Sequence, residues 1–232
     1  METWYKEIGF YNNPFSIKPS AYSDELIGID TTKLLEDISE GKVIFIEGEF
    51  GKGKTSILKK IINLFGGKKK VVYYSCNRSD NSIHVDNLLN GGRSFLQKLF
   101  GIVPNGMIFL LDEVSELSEE DSEALLNEYE KNIKSIVLVG PNYKKAKLAN
   151  GIKEKINDNV VKLGDLKEED AVELIRKRLG ETELLSDSII KTLFKKSNKN
   201  PRLLLKNCEE VCRYAITHGY DKVTEEHIKK VL

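Results

Sequence analysis

The feature that most restricts what this chain can fold into is the segment Gly48–Thr55. It reads Gly-Glu-Phe-Gly-Lys-Gly-Lys-Thr and fits the pattern G-x-x-x-x-G-K-[ST]. An apolar run precedes it and an amphipathic stretch follows, so we expect a loop that joins a buried strand to a helix. In such a loop, backbone N–H groups curl around phosphate oxygens and the positive end of the helix dipole faces the same anion. The segment, called the phosphate loop below, therefore predicts binding of a nucleotide.

Two side chains of the phosphate loop carry its expected chemistry. The Lys54 ammonium should reach the β- and γ-phosphates, and the Thr55 hydroxyl should ligate Mg²⁺. The predicted cofactors are therefore ATP or ADP with Mg²⁺. A chance turn rich in glycine and lysine is the alternative, and the elements expected on both sides argue against it. The other residues assigned to the nucleotide lie in the loop or just after it: Gly48, Glu49, Phe50, Gly51, Lys52, Gly53 and Ser56.

A second motif lies at Met107–Glu113, an apolar run that ends in two carboxylates. Asp112 at the strand end can hold Mg²⁺ through water. Glu113 is placed to orient and deprotonate the water that attacks the γ-phosphate. An apolar run followed by Asp-Glu is a weak signal when it stands alone, since acidic residues often end strands. Together with the phosphate loop it predicts hydrolysis of the nucleotide.

Short apolar runs alternate with helical stretches over much of the chain. The runs are continuous, which is typical of parallel strands buried on both faces. The alternation predicts an α/β fold with a three-layer parallel sheet of the P-loop NTPase type. The predicted strands are Val43–Ile46, Val71–Tyr74, Met107–Leu111, Ile136–Val139 and Val160–Leu163. The predicted helices among them are Thr31–Ser39, Thr55–Phe65, Val85–Phe100 and Glu119–Asn132.

The pattern changes after Leu163, where the remaining sequence predicts helices only. We therefore expect a nucleotide-binding domain over 27–164 and a small helical lid domain over 165–232. The aromatic-rich segment 1–26 contains two prolines, and we expect it to be extended and packed on the ATPase core. The predicted lid helices are Lys167–Leu179, Asp187–Lys196, Pro201–His218 and Thr224–Leu232.

Composition restricts the partners of the chain. It has 36 basic and 36 acidic residues, so its formal net charge is zero and no overall field draws it to nucleic acid. Contact with DNA would have to come from local basic runs, which in most proteins are solvated faces. Lysine is much commoner than arginine, which fits a thermophile or an AT-rich genome. The basic runs are Lys68–Lys70, Lys144–Lys147 and Lys195–Lys199.

Cysteine usage and hydropathy exclude several other classes. Cys76, Cys208 and Cys212 match neither a metal-binding spacing nor a disulfide framework. No apolar run approaches the length that spans a bilayer. The N-terminus lacks the apolar centre that a signal peptide requires. We therefore expect a cytoplasmic protein without a membrane span.

The order of these motifs resembles that of AAA+ ATPases: phosphate loop, Asp-Glu strand, a strand with a polar tip at Ile136–Asn142, and a helical lid. Asn13–Pro19 (Asn-Pro-Phe-Ser-Ile-Lys-Pro) is similar to the segment that opens ExeA-type and TniB-type ATPases. Asn200–Arg202 (Asn-Pro-Arg) resembles the second sensor of the initiator clade, which includes the origin-recognition ATPases of archaea and eukaryotes. The lid opening at 161–179 is similar in both groups, so the choice between them stays open.

This resemblance implies roles for further residues. Leu26–Asp30 resembles the segment beside adenine in AAA+ proteins, so Ile27 and Gly28 are expected there. Asn142 would be the first sensor and touch the γ-phosphate or the attacking water; its alternative role is to form a turn after proline. Arg202 would be the second sensor and reach the phosphates. The dipole at a helix N-terminus disfavours a cation, so a phosphate partner explains Arg202 better than a solvated surface position.

One departure from the AAA+ pattern concerns the arginine finger, which a neighbouring subunit usually supplies. The chain has no arginine between Arg93 and Arg176, and Lys153 and Lys155 occupy the corresponding stretch. Lysine lacks the planar fork that suits a transition-state phosphate. Three explanations stay open: lysine of a second copy substitutes weakly, a partner protein supplies the finger, or turnover is slow.

The sequence supports three functional hypotheses. The first is an ATP-hydrolysing AAA+ switch in DNA transactions such as replication initiation, loading or transposition, slow in isolation. The second is a nucleotide-binding interaction or signalling module with little turnover. The third is an ExeA-like assembly ATPase for envelope export. Glu113 favours the first hypothesis, the missing finger favours the second, and the lack of an apolar span weakens the third.

Overall fold

The described residues of the chain divide into two compact units. The computed structural model describes residues 3–18, 26–66, 70–76, 85, 87–88, 105–180 and 182–232. The α/β unit comprises the described residues of Asp30–Phe50 and Lys54–Leu163. The helical unit comprises those of Met1–Ile29, Gly51–Gly53 and Gly164–Leu232.

A parallel sheet forms the centre of the α/β unit. In the described residues it has five strands in the order β2-β3-β4-β1-β5, and every pairing is parallel. This confirms the predicted α/β class and each of the five predicted strands. The strands are β1 (Val43–Glu47), β2 (Val71–Ser75), β3 (Met107–Asp112), β4 (Ile133–Gly140) and β5 (Val160–Lys162).

Burial of the strands follows their place in the sheet. All residues of β3 are buried, as are all but one residue of β4 and of β1, so these strands require continuous apolar sequence. The outer strands β2 and β5 are only partly buried. The apolar pattern of the central strands is therefore the strongest signal for the fold.

Helices cover the sheet, and a short 3₁₀ turn follows the end of β3 and that of β4. In the part of this unit that the structure describes, the helices are α1 (Thr32–Ser39), α2 (Lys54–Leu64), α3 (Glu119–Glu128) and α4 (Asn150–Ile156); short 3₁₀ turns occupy Val114–Glu116 and Tyr143–Lys145. Helix α4 was not predicted. The predicted helix Glu119–Asn132 ends four residues early, because Tyr129 adopts extended backbone angles. The predicted helix Val85–Phe100 lies almost entirely outside the described residues.

The C-terminal part of the helical unit consists of four helices, as predicted. They are α5 (Glu168–Leu179), α6 (Asp187–Lys196), α7 (Pro201–Thr217) and α8 (Glu225–Val231). Their apolar faces meet in one core, which includes Ile175, Phe194 and Cys208. The described part of this unit contains no strand. Among the described residues of the whole chain, no helix is long and apolar enough to cross a membrane.

The described residues of the N-terminal segment pack on the helices of the helical unit. The expected packing of 1–26 on the ATPase core stays a prediction. Trp4 and Phe15 stack on each other and are buried in the core of those helices. Arg178 donates a hydrogen bond to the Ser16 carbonyl at 2.9 Å. Burying one phenylalanine side chain contributes roughly 1.5–3 kcal/mol, so the contact helps to hold the segment on these helices.

Candidate nucleotide site

The carboxyl ends of four neighbouring strands meet at one edge of the sheet. The register pairs Glu47 of β1 with Gly140 of β4, and Ser75 of β2 with Asp112 of β3. Strand β4 lies between β1 and β3, so roughly 10 Å separates the axes of those two strands. The phosphate loop after β1 and the two carboxylates at the end of β3 are thus presented at the same edge.

The phosphate loop connects β1 to α2 in a conformation that requires glycine. Gly51 and Gly53 have φ angles of +86° and +92°, in the left-handed region that other residues rarely adopt. Helix α2 begins at Lys54, so Thr55 and Ser56 lie in its first turn. Thr55 is exposed, whereas Ser56 is partly buried. Backbone N–H groups of this first turn have no partner inside the helix and suit an anion.

The Lys54 ammonium lies along the inside of the loop. It donates hydrogen bonds to the carbonyl oxygens of Gly48 at 2.6 Å and Glu49 at 2.8 Å. Burial lowers the pKa of Lys54, and the negative charges of Asp112 and Glu113 partly offset that change. The arrangement holds a cation beside the strand-end carboxylates.

Asp112 is buried, with 7% of its surface exposed. The backbone N–H of Glu113 donates to Oδ1 at 3.0 Å, and the Tyr73 hydroxyl donates to Oδ2 at 3.4 Å. Burial raises the pKa of Asp112, and the hydrogen bond from Glu113 counteracts part of the rise. Sequence reasoning missed Tyr73, which reaches Asp112 only because β2 and β3 are neighbours.

Glu113 has a strained backbone. Its φ and ψ angles are 58° and 43°, a left-handed conformation that costs a non-glycine residue roughly 1–2 kcal/mol. The adjacent Val114 is fully buried, which anchors the turn that follows. The Ser75 hydroxyl lies 3.5 Å from Glu113 Oε2 and donates to it. Strained residues of this kind concentrate at functional sites. Ser75 was also missed, because only the strand register brings it to Glu113.

Asn142 follows the end of β4 at the same sheet edge. Its Oδ1 accepts the backbone N–H of Lys145 at 3.1 Å and so caps the 3₁₀ turn Tyr143–Lys145. This is the turn-forming role considered for it. A sensor role toward the γ-phosphate stays a prediction.

The remaining site candidates lie in the helical unit. Ile27 is buried and Gly28 is exposed with a φ of +70°. Arg202 lies in the first turn of α7, where the Asn200 side chain accepts its backbone N–H at 3.0 Å. A Cβ added to Gly51 would lie 2.5 Å from Asn200 Oδ1 and 3.0 Å from Arg202 Cβ. Within the helical unit, Arg202 therefore lies next to Gly51, and Gly51 has no room for a side chain.

Lys52, also at the loop tip, forms an ion pair with Asp165. The Lys52 side chain is 8% exposed and that of Asp165 is 63% exposed. The hydrogen bond from Lys52 lowers the pKa of Asp165. Asp165 was not predicted as a site residue, since no local motif marks a partner 113 positions from Lys52 in sequence.

Comparison with known proteins relates the chain to solved structures only. Neither a protein-family model nor a curated protein matches it. Cdc6p of Pyrobaculum aerophilum is similar with a TM-score of 0.71 and 17% identity, covering 94% of this chain and 70% of that one. Orc1 of Aeropyrum pernix, solved in complex with DNA, gives 0.69 and 14%, covering 91% and 66%. A point variant of Thermotoga maritima RuvB gives 0.66 and 18%, covering 88% and 68%.

These similarities show the fold. The chain has the AAA+ fold of the P-loop NTPases, with a helical C-terminal region, as the order of its motifs predicted. It spans about two thirds of the length of the structures it resembles. Identities of 14–18% extend the likeness to architecture and no further.

Proposed function

We propose that this protein is an ATP-binding and ATP-hydrolysing AAA+ switch that acts in DNA transactions of the replication-initiation, loading or transposition type. One observation carries the ATPase part of the proposal. The Lys54 ammonium lines a glycine-rich loop at the sheet edge that also presents Asp112 and Glu113. A cation for phosphate and two carboxylates for metal and water are the parts that phosphoryl transfer to water requires.

Thr55 and Asp112 would hold Mg²⁺, because hydroxyl and carboxylate oxygens are ligands that this hard cation prefers. Asp112 suits the role, since Glu113 and Tyr73 orient its buried carboxylate. Bound Mg²⁺ supplies charge neutralisation at the phosphates. Lys54 would add a second positive charge, and Arg202 is proposed as the second sensor.

Glu113 would act as the general base for the attacking water, and Asn142 would orient that water or the γ-phosphate. Ser75 donates to the Glu113 carboxylate and so holds its side chain. Glu113 can accept a proton only when one of its oxygens faces the water. Ile27 and Gly28 would lie beside adenine.

The DNA part of the proposal is supported by fold likeness. The Aeropyrum Orc1 structure is a complex with DNA, and a Drosophila ORC bound to DNA has a TM-score of 0.65 at 16% identity. The zero net charge of this chain requires local contacts. Exposed Lys196 and Lys199 near the start of α7 offer such a surface.

A low-turnover nucleotide-binding module is the second candidate, and one observation favours it. The stretch expected to hold an arginine finger contains two lysines. One of them, Lys155, contacts residues of its own chain. It pairs with Glu130 at 2.7 Å and lies over the Tyr129 ring. Lys153 is exposed but offers no bidentate fork.

Steady-state ATP hydrolysis measured with and without single- and double-stranded DNA tests the proposal, with Glu113→Gln as the matched inactive variant. We expect slow turnover that DNA or a partner increases, and no turnover in the variant. Oligomer size in ATP and in ADP is measured on the same samples. ATP binding with turnover equal in both proteins would favour the second candidate.

A further inference from the structure

We propose that Glu47 is a positioning residue that holds the Asn142 turn against the strand leading into the phosphate loop. Glu47 is the last residue of β1 and directly precedes Gly48. Its Oε2 accepts the backbone N–H of Tyr143 at 2.7 Å. The role deepens the proposed ATPase function and rests on it, because Asn142 matters only if a γ-phosphate or water lies beside it.

The backbone ladder cannot hold this turn by itself. The last pair between β1 and β4 joins Glu47 to Gly140, where the Gly48 N–H donates to the Gly140 carbonyl at 3.1 Å. The next residue, Pro141, has no N–H to donate. The Glu47 side chain therefore extends the connection between the two strands beyond the end of the ladder, to Tyr143.

The bond has the properties of an effective tie. A hydrogen bond to a carboxylate is roughly twice as strong as one between neutral groups. The Glu47 side chain is only 20% exposed, so water competes little for its oxygens. Lys162 approaches Oε1 at 3.8 Å from a side chain that is 72% exposed, and such a surface pair adds little.

Two hydrogen bonds hold the turn, and the Tyr143 ring also packs on Phe45 of β1, with ring centroids 5.2 Å apart. Asn142 caps it from within through Lys145, and Glu47 fixes it from outside through Tyr143. Glu47 and Asn142 also share the wall of a cleft of about 450 Å³. Since Glu47 and Gly48 are consecutive, the tie sets the position of Asn142 relative to the phosphate loop.

Hydrogen–deuterium exchange tests the tie without reference to activity. In Glu47→Met, which keeps the side-chain length but has no oxygen acceptor, we expect the Tyr143 amide to exchange at least about tenfold faster. Amides of β3 should be unchanged. Glu47→Gln keeps an acceptor and should restore protection. Glu130→Gln, at an exposed pair in the same unit, is the control. Unchanged exchange at Tyr143 in Glu47→Met would overturn the proposal.

Kinetics then separates positioning from general stabilisation. For Glu47→Met we expect kcat to fall about tenfold to a hundredfold, since small misplacements of a catalytic group have effects of that size. ADP affinity should stay within about twofold, and Glu47→Gln should recover most of kcat. An equal loss of kcat and ADP affinity would contradict the positioning role. If the wild-type protein hydrolyses no ATP, the proposed function fails by itself, and the exchange experiment still decides whether the tie exists.

Discussion

The Lys54 ammonium lies 2.6 Å from the carbonyl oxygen of Gly48, at the opposite end of the phosphate loop. The loop thus closes around its own cation, and an incoming phosphate would take over as a partner of that cation. This exchange of partners gives a direct test of the loop assignment.

Replacing this cation should abolish nucleotide binding. In Lys54→Ala we expect ATP and ADP affinity to fall at least about a hundredfold, because each hydrogen bond to a charged group contributes roughly 1.5–3 kcal/mol. Isothermal titration measures the affinity. Lys131→Ala removes an exposed lysine of the same unit and should leave affinity unchanged. Equal affinity in Lys54→Ala and the wild type would refute the loop assignment.

Replacing the proposed base should separate binding from hydrolysis. Glu113→Gln keeps the shape of the side chain but cannot accept a proton from water. We expect ATP affinity close to wild type and turnover reduced at least about a hundredfold, measured by phosphate release. Wild-type turnover in this variant would show that another group is the base.

The raised pKa of Asp112 predicts that ADP affinity and the stability of the nucleotide-free protein change in opposite directions with pH. Burial raises this pKa, so protons compete with Mg²⁺ at higher pH than at an ordinary aspartate, and Mg²⁺-dependent ADP affinity should fall as pH falls. Without nucleotide the folded chain holds this proton more tightly than the unfolded chain. The protonated Asp112 carboxyl therefore contributes to the stability of the folded state at low pH, and this contribution is lost as pH rises through the raised pKa.

Asp112→Asn isolates both effects because it removes the titration. Its ADP affinity should be weak and independent of pH in the acidic range. The Tm of the variant minus that of the wild type, measured without Mg²⁺ or nucleotide, should increase with pH over that range. A difference that decreases with pH would contradict the raised pKa.

The ion pair between Lys52 and Asp165 should matter only when the loop is empty. Asp165→Asn leaves the mostly buried Lys52 ammonium without its carboxylate, and we expect a lower Tm without nucleotide. A phosphate would replace the carboxylate, so saturating ADP with Mg²⁺ should abolish the difference. Asp187→Asn breaks a pair with Arg176 at a similar exposure and should lower Tm equally in both conditions. Persistence of the Asp165→Asn deficit in ADP would argue against phosphate contact by Lys52.

Turnover should depend on a second molecule. An arginine supplied to related sites contributes on the order of 10³–10⁵ in rate, and this chain has none between Arg93 and Arg176. We expect a slow ATPase whose specific activity rises with a partner or with DNA-templated assembly. Fast turnover that is insensitive to dilution, and retained in Lys153→Ala, would contradict this expectation.

The fold was predictable where burial alone dictates the sequence. Strand β3 is buried on both faces and is therefore apolar up to Asp112, its last residue, and the phosphate loop has a pattern fixed by glycine conformation. The exposed α4 has only seven residues and two buried ones, too few for a clear periodicity. The packing of Phe15 on the helical unit depends on which apolar surface lies near, and local sequence does not contain that information.

The candidate site likewise contains residues that the sequence could predict and residues that it could not. Lys54, Asp112 and Glu113 could be named as candidates because their motifs are local. Tyr73 and Ser75 reach the carboxylates only through the strand register, and Glu47 reaches Tyr143 only across the end of a ladder. Contacts of this kind become visible once the order of strands is known.

The left-handed backbone of Glu113 has a consequence for engineering this chain. Glycine adopts that conformation without strain. Replacing Glu113 with glycine should therefore make the protein harder to unfold while removing the carboxylate. A library screened for heat resistance alone would tend to enrich inactive variants at this position. Stability and catalysis must therefore be selected together wherever position 113 is allowed to vary.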